Sequence, residues 1–215
     1  MEKTFLCLGA GPGMGLATAM KSAAEGFRIV LGARNEGRLA KLASEITAKT
    51  GRPVETARVD VGDYPQVRAL KDRIGDVAGL HFNAAIIHAK TLAEEEPANI
   101  GEDINVGITG ALYALKTFAP AMLANKAGTI LLTGGILALH PLPEYLTLGI
   151  AKAGIRNMAE ALFDDFKKAN VHVATVTVGT AVAPHSAEAA EVAELFWKLH
   201  SRPREGWTWN EDYPK

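Results

Sequence analysis

Short apolar runs and longer amphipathic stretches alternate along the whole chain. Thr4–Leu8, Phe27–Gly32, Val54–Val59, Leu80–Phe82, Thr129–Thr133 and Val171–Val178 are compact and mostly apolar. Such runs suit strands covered on both faces, the habit of a parallel sheet. Between them, apolar residues recur at helical spacing. The clearest case spans about Leu146 to Ala169, where Ile150, Ala151, Ile155, Met158, Ala159, Leu162, Phe163 and Phe166 form one stripe. A second spans about Ala98 to Leu123. Strand and helix alternating in this way predict repeated βαβ units: an α/β fold with a doubly wound, mostly parallel sheet of six or seven strands flanked by helices. No repeat or linker interrupts the pattern, so residues 1–215 read as a single domain. From about residue 202 the chain, with Pro203, Gly206, Trp207, Trp209 and Pro214, reads as a loop, a short edge strand and a tail.

Composition removes several classes of function. Lys and Arg number 23 against 24 Asp and Glu, a net charge of −1, so no basic surplus points to nucleic acid or to an anionic membrane. No apolar run reaches the ~18 residues of a membrane span. The start, Met1 to Gly9, reads as a first strand and not as a signal peptide. The single cysteine, Cys7, excludes an internal disulfide and suggests a reducing, cytoplasmic setting. His81, His172 and His200 lack ligand spacing, so no metal is expected. Glycine is the one excess, 21 of 215 residues or about 10% against the usual ~7%.

The glycines concentrate where they carry chemistry. The first strand ends in Gly9-Ala10-Gly11-Pro12-Gly13-Met14-Gly15 and passes into the helical pattern Leu16-Ala17-Thr18-Ala19-Met20. Strand, glycine turn and helix in that order make a phosphate cradle. Gly9 permits the turn, Gly13 admits a pyrophosphate to the backbone, and Gly15 lets helix and strand pack closely. The helix N-terminus then offers N–H groups and a positive dipole end.

The Gly-x₃-Gly-x-Gly spacing, together with marks further along, resembles the short-chain dehydrogenase/reductase family, whose fold is Rossmann-like. Asp60-Val61 follows the third strand, where the family places an aspartate near the adenine. Asn83-Ala84-Ala85 follows the fourth, in the place of the family's Asn-Asn-Ala-Gly element. Asn105 matches the structural and proton-relay asparagine, and Lys152, in Ala151-Lys152-Ala153-Gly154, matches the active-site lysine. Val178-Gly179-Thr180 stands at the Pro-Gly element. The resemblance implies that these residues bind a nicotinamide dinucleotide. Each also has a plainer reading: a helix cap for Asp60, a turn for Asn83, a solvated lysine for Lys152. It is their shared order that favours the resemblance.

The second strand points to the form of the cofactor. An NAD site usually ends this strand with an acidic residue on the ribose 2′-hydroxyl. Here Ala33 takes that place and Arg34 follows, with Arg38 one turn into the next helix. A guanidinium fork suits a 2′-phosphate. NADP(H) is therefore expected ahead of NAD(H).

The resemblance fails at the proton donor. The family's Tyr-x-x-x-Lys would put a tyrosine at Leu148, and its serine, thirteen residues earlier, falls on Gly135. Tyr145, about one turn before Leu148, and His140, with the pKa of a general acid, are the candidate substitutes. Thr133 and His88 are further ones. Two functions follow: an NADP(H)-dependent oxidoreductase of a small-molecule carbonyl or alcohol with a non-standard proton donor, or an NADP(H)-binding pseudoenzyme serving as sensor or partner subunit. The stretch after Gly179, Thr180 to His185, is short for the family's substrate-covering loop, which implies an open pocket or one closed by a neighbouring subunit.

The two long helices carry more apolar surface than one sheet face covers: Ile108, Ala111, Leu112, Leu115 and Phe118 on the first, Ile150, Met158 and Leu162 on the second. In the family such helices pair across a two-fold axis. The resemblance therefore implies a homodimer or homotetramer.

Overall fold

The computed structural model describes residues 3–214. Seven strands, β1 (Thr4–Leu8), β2 (Arg28–Ala33), β3 (Val54–Arg58), β4 (Gly79–Phe82), β5 (Gly128–Thr133), β6 (Val171–Val178) and β7 (Asn210–Tyr213), form one sheet in the order β3-β2-β1-β4-β5-β6-β7. Every neighbouring pair is parallel. The chain winds from β1 out to β3, then crosses back to place β4 on the other side of β1. That reversal opens a crevice at the carboxyl ends of β1 and β4, where open α/β sheets take their ligands.

Alternation along each strand supplies two cores. Leu6 and Leu8 of β1 join Leu80, Phe82, Ile130 and Leu132 on one face, beneath α3 (Tyr64–Ile74), α5 (Gly110–Asn125) and α6 (Leu146–Lys168). Phe5 and Cys7 join Ile29, Leu31, Leu131 and Val176 on the other, beneath α1 (Met14–Ala24), α2 (Glu36–Thr50) and α7 (Ala187–Ser201). With both faces covered, the central strands β1, β4 and β6 are buried along their whole length, and their mostly apolar runs follow. Phe118 and Phe196 anchor the two layers at 1% and 0% exposure, each contributing roughly 1.5–3 kcal/mol of burial.

Local signals set the helix starts. Asn35 accepts a hydrogen bond from Arg38 N–H at the head of α2, Asp63 does so from Gln66 N–H at α3, and Ser186 from Ala189 N–H at α7. In α1 the corresponding residue is Gly13, with no capping side chain, so none competes for the first N–H groups of that helix.

The helix expected over about Ala98 to Leu123 runs from Pro97 to Asn125. It consists of α4 (Pro97–Ile104), a π-helical turn at Asn105–Thr109 and α5. The turn accompanies two close approaches: a Cβ on Gly107 would meet that of Ala151 at 2.7 Å, and one on Gly110 would meet Val61 Cγ2 at 2.8 Å. By length and composition this helix could cross a membrane, but half of its most apolar window is buried inside the fold.

Candidate active site

The crevice is a cleft of about 960 Å³. Its wall includes Gly9, Pro12, Met14, Arg34, Arg38, Asp60, Val61, Asn83, Ala84, Ala85, Tyr145, Lys152, Gly179 and Thr180, gathered from the segments that follow five strands and from the start of α6. Five residues singled out in the sequence are not on that wall: Gly13, Gly15, His88, Asn105 and His140.

The glycine loop is fixed by steric fit. Gly9 has φ +79°, and a Cβ there would lie 2.3 Å from the backbone nitrogen of Ala84. Only glycine meets both conditions. Gly9 and Ala10 N–H both donate to Gly32 O, tying the loop to β2. Gly15 lies behind the wall, where a Cβ would come within 3.2 Å of Ala10 Cα and Asn83 Nδ2, so it sets how closely α1 rests on the loop. Gly13 faces Val182 and Ala183, whose carbonyls stand 3.9 Å from where its Cβ would be. Those residues belong to the short segment after β6, which His185 N–H fastens to Pro12 O at 3.1 Å. The segment thus lies along the glycine loop.

At the end of β2, Arg34 and Arg38 are exposed on the wall beside Ala33. Arg34 donates to Glu102 of α4, both side chains about half exposed, and this bond raises the guanidinium pKa further. Glu102 has no signal in the sequence; the fold brings it across 68 positions. Asp60 Oδ1 accepts from Gly62 N–H at 2.9 Å while Asp63 caps α3, so Asp60 remains on the wall.

At the opposite end a polar network ties β1, β4, β5 and α6 together. Lys152 Nζ donates to Thr133 O at 2.8 Å, and burial lowers its pKa to about 8. Thr133 Oγ1 donates to Asn83 Oδ1 at 2.9 Å, and Asn83 Nδ2 donates to Gly9 O at 3.0 Å. Because the Thr133 hydrogen is committed to Asn83, the His81 Nε2 contact at 2.9 Å is a donation from the ring to Thr133. His81 is fully buried, and its pKa falls to about 3, first from burial and then from Lys152, so it stays neutral. Its Nδ1 faces Cys7 Sγ at 3.7 Å, whose thiol burial pushes up to about 12. Asn83 is therefore a strut between the glycine loop and the floor beneath Lys152. His81 and Thr133 were barely visible in the sequence, because buried strand polar residues look like interruptions of an apolar run.

Leu148 and Gly135 both face the cleft, and a Cβ on Gly135 would touch Lys152 Cγ at 3.1 Å. Tyr145 is half-buried on the same wall. His140 is exposed and off the wall: the 3-10 turn Ile136–Ala138 returns the chain to the surface, and His140 N–H closes on Ile136 O. Asn105 also lies off the wall. Its exposed side chain donates to Gly62 O at 3.2 Å, and its carbonyl accepts the π-helical bond from Gly110 N–H. It shapes the helix and is no part of the cleft wall.

Comparison with known proteins agrees with this geometry. Residues 3–193 match the family model described as short chain dehydrogenase. An uncharacterized oxidoreductase of Listeria monocytogenes is 28% identical over 181 residues, 82% of this chain and 73% of that protein. The crystal structure of a short-chain dehydrogenase from Rhodopseudomonas palustris superposes with a TM-score of 0.88 at 25% identity, covering 99% of this chain and 98% of that one. A metagenomic short-chain oxidoreductase in complex with NADP gives 0.88 at 23% identity, covering 97% and 95%. With the parallel sheet, the glycine turn and Lys152 all in place, the chain belongs to the short-chain dehydrogenase family.

Proposed function

We propose that this protein is an NADP(H)-dependent oxidoreductase that interconverts a small-molecule carbonyl compound and its alcohol. The observation that carries the reading is the pairing of two cleft ends: Arg34 and Arg38 beside Ala33 at one, Lys152 at the other. The residues fit a dinucleotide. Gly9 leaves room for a backbone-lined cradle, the uncapped start of α1 suits a pyrophosphate, and the arginines suit a 2′-phosphate that an acidic side chain would repel. The similar metagenomic oxidoreductase holds NADP. Bound NADP(H) would supply or accept the hydride. Asp60 and Val61 would border the adenine, and Asn83, Ala84, Ala85 and Lys152 the nicotinamide ribose, with Gly179 and Thr180 at the far rim.

The remaining need is a proton at the carbonyl oxygen. Tyr145 lines the cleft one turn before Leu148, and its hydroxyl fills that role in this proposal. Leu148 and Gly135 favour a second reading, a cofactor-binding protein without turnover. NADPH oxidation screened over aldehydes and ketones separates the two. Turnover that falls at least about tenfold in Tyr145→Phe supports the first. Tight NADPH binding without turnover on any compound supports the second.

A further inference from the structure

We infer that His88, Glu95 and Asp103 form a binding site for a divalent cation of the zinc class, beside the cleft and distinct from it. The three donors come from the segment after β4, the turn before α4 and α4 itself, and their ligand atoms lie within 4.8 Å of one another. His88 Nδ1 stands 3.5 Å from Glu95 Oε2 and 3.5 Å from Asp103 Oδ2. Two ligands at ~2.0–2.2 Å from one tetrahedral ion lie about 3.3–3.6 Å apart, so both His88 distances suit a shared ion.

Two of the facing polar atoms are also left unmatched. The Glu95 and Asp103 side chains are 4% and 2% exposed. Among the described residues, Asp103 Oδ1 and His88 Nδ1 are buried with no hydrogen-bond partner. Two adjacent buried carboxylates need a compensating cation. The nearest lysine, Lys90, stays 3.9 Å from Glu95 and 44% exposed.

What surrounds them is the outer shell of a metal site. Asn99 Nδ2 donates to Glu95 Oε1 at 2.8 Å, and Thr147 Oγ1 donates to Asp103 Oδ2 at 2.6 Å, each fixing a carboxylate in place. The imidazole selects zinc-class ions over magnesium. His88 is 31% exposed, leaving a path for the ion and for solvent as a fourth ligand. His88 follows Ile87, and Thr147 precedes Leu148, both on the cleft wall, so a bound ion would clamp that wall to α6.

The test uses chelator-treated full-length protein, titrated calorimetrically with Zn²⁺ and melted with and without it. The expected result is one saturable site with a micromolar or tighter Kd and a raised Tm. His88→Ala, at a partly exposed position, should keep the fold and weaken binding by roughly tenfold or more, and Asp103→Asn should do the same. Co²⁺ should give the intense visible bands of a tetrahedral site in the wild type and not in His88→Ala. No saturable binding, or binding equal in the wild type and His88→Ala, would overturn the assignment.

Discussion

The two ends of the cleft are built by different means. The end at the glycine loop, proposed above to take the nucleotide, is made of backbone: a left-handed glycine against Ala84, loop N–H groups tied to Gly32, and a helix start without a side-chain cap. The end at Lys152 is made of side chains held by a network from β1 to α6, and there Gly135 and Leu148 line the cleft. Backbone geometry is over-determined by packing, so a change there costs the fold. Side chains facing an open cleft can be exchanged at small cost to the fold, and the function changes in their place.

Gly9→Ala and Gly135→Ser put that contrast to its hardest test. At Gly9 the new Cβ meets rigid backbone at 2.3 Å with φ +79°, so a loss of roughly 3–5 kcal/mol is expected. That corresponds to a Tm lower by about 10 °C, with NADPH binding abolished. At Gly135 the backbone is extended and the nearest atom is a lysine methylene at 3.1 Å. A cost of about 1 kcal/mol or less is expected there. Combined with Leu148→Tyr, Gly135→Ser should raise carbonyl reduction by ~10²-fold if hydroxyls at these two positions can donate to the substrate oxygen. Equal melting losses in the two single variants would erase the distinction.

Lys152 sharpens the comparison through pH. Burial depresses its folded pKa from 10.5 to about 8. Below pH 8 the lysine is charged in both folded and unfolded states, and the fold bears the full cost of burying it. Between pH 8 and 10.5 the unfolded chain binds the extra proton, so stability contributed by this group rises with pH. Lys152→Met should therefore stabilise the cofactor-free protein at pH 7 by about 2–3 kcal/mol and remove that rise, while weakening NADPH binding. Urea melts at pH 7 and pH 10 check both. A variant less stable than wild type at pH 7 would show that the bond to Thr133 O outweighs the buried charge.

A smaller effect is expected at the nucleotide end, where Arg34 is shared with Glu102. A 2′-phosphate must take the guanidinium from that carboxylate and tolerate its charge. Exposed pairs of this kind contribute about 1 kcal/mol or less, so Glu102→Gln should tighten NADPH by up to about fivefold and leave NADH unchanged. Fluorescence titration of both cofactors decides it; parallel changes would detach Glu102 from the 2′-phosphate.

How much of this was legible in sequence follows the same division. Six strands were readable to within a residue at each end, because strands covered on both faces write continuous apolar runs. β7, Asn-Glu-Asp-Tyr, has no such run and could be expected only as an edge strand of unspecified extent. The π turn at Asn105 leaves the apolar spacing intact and was invisible. The glycine loop was legible because its residues are contiguous. Glu102, and the cluster of His88, Glu95 and Asp103, become neighbours only when separate segments fold together: His88 and Glu95 lie outside any helix, so their helix-like spacing to Asp103 is no guide.

The smallest effect on the fold is expected at Leu112. It is 49% exposed on α5, and Ile150 is 45% exposed on α6, so each of the two long helices turns a large apolar side chain outward. The expectation of a two-fold assembly places these residues against a second copy of the chain, where self-complementary packing buries both. An aspartate at this half-exposed position should change monomer stability by no more than about 1 kcal/mol. Buried in an interface, the same charge would have no partner and would cost several kcal/mol of association. Leu112→Asp should therefore sediment as a 22.8 kDa monomer with an unchanged far-UV spectrum, while the wild type sediments as a dimer or tetramer. A wild type that is itself monomeric at micromolar concentration would remove the assembly and leave the outward leucine as ordinary surface.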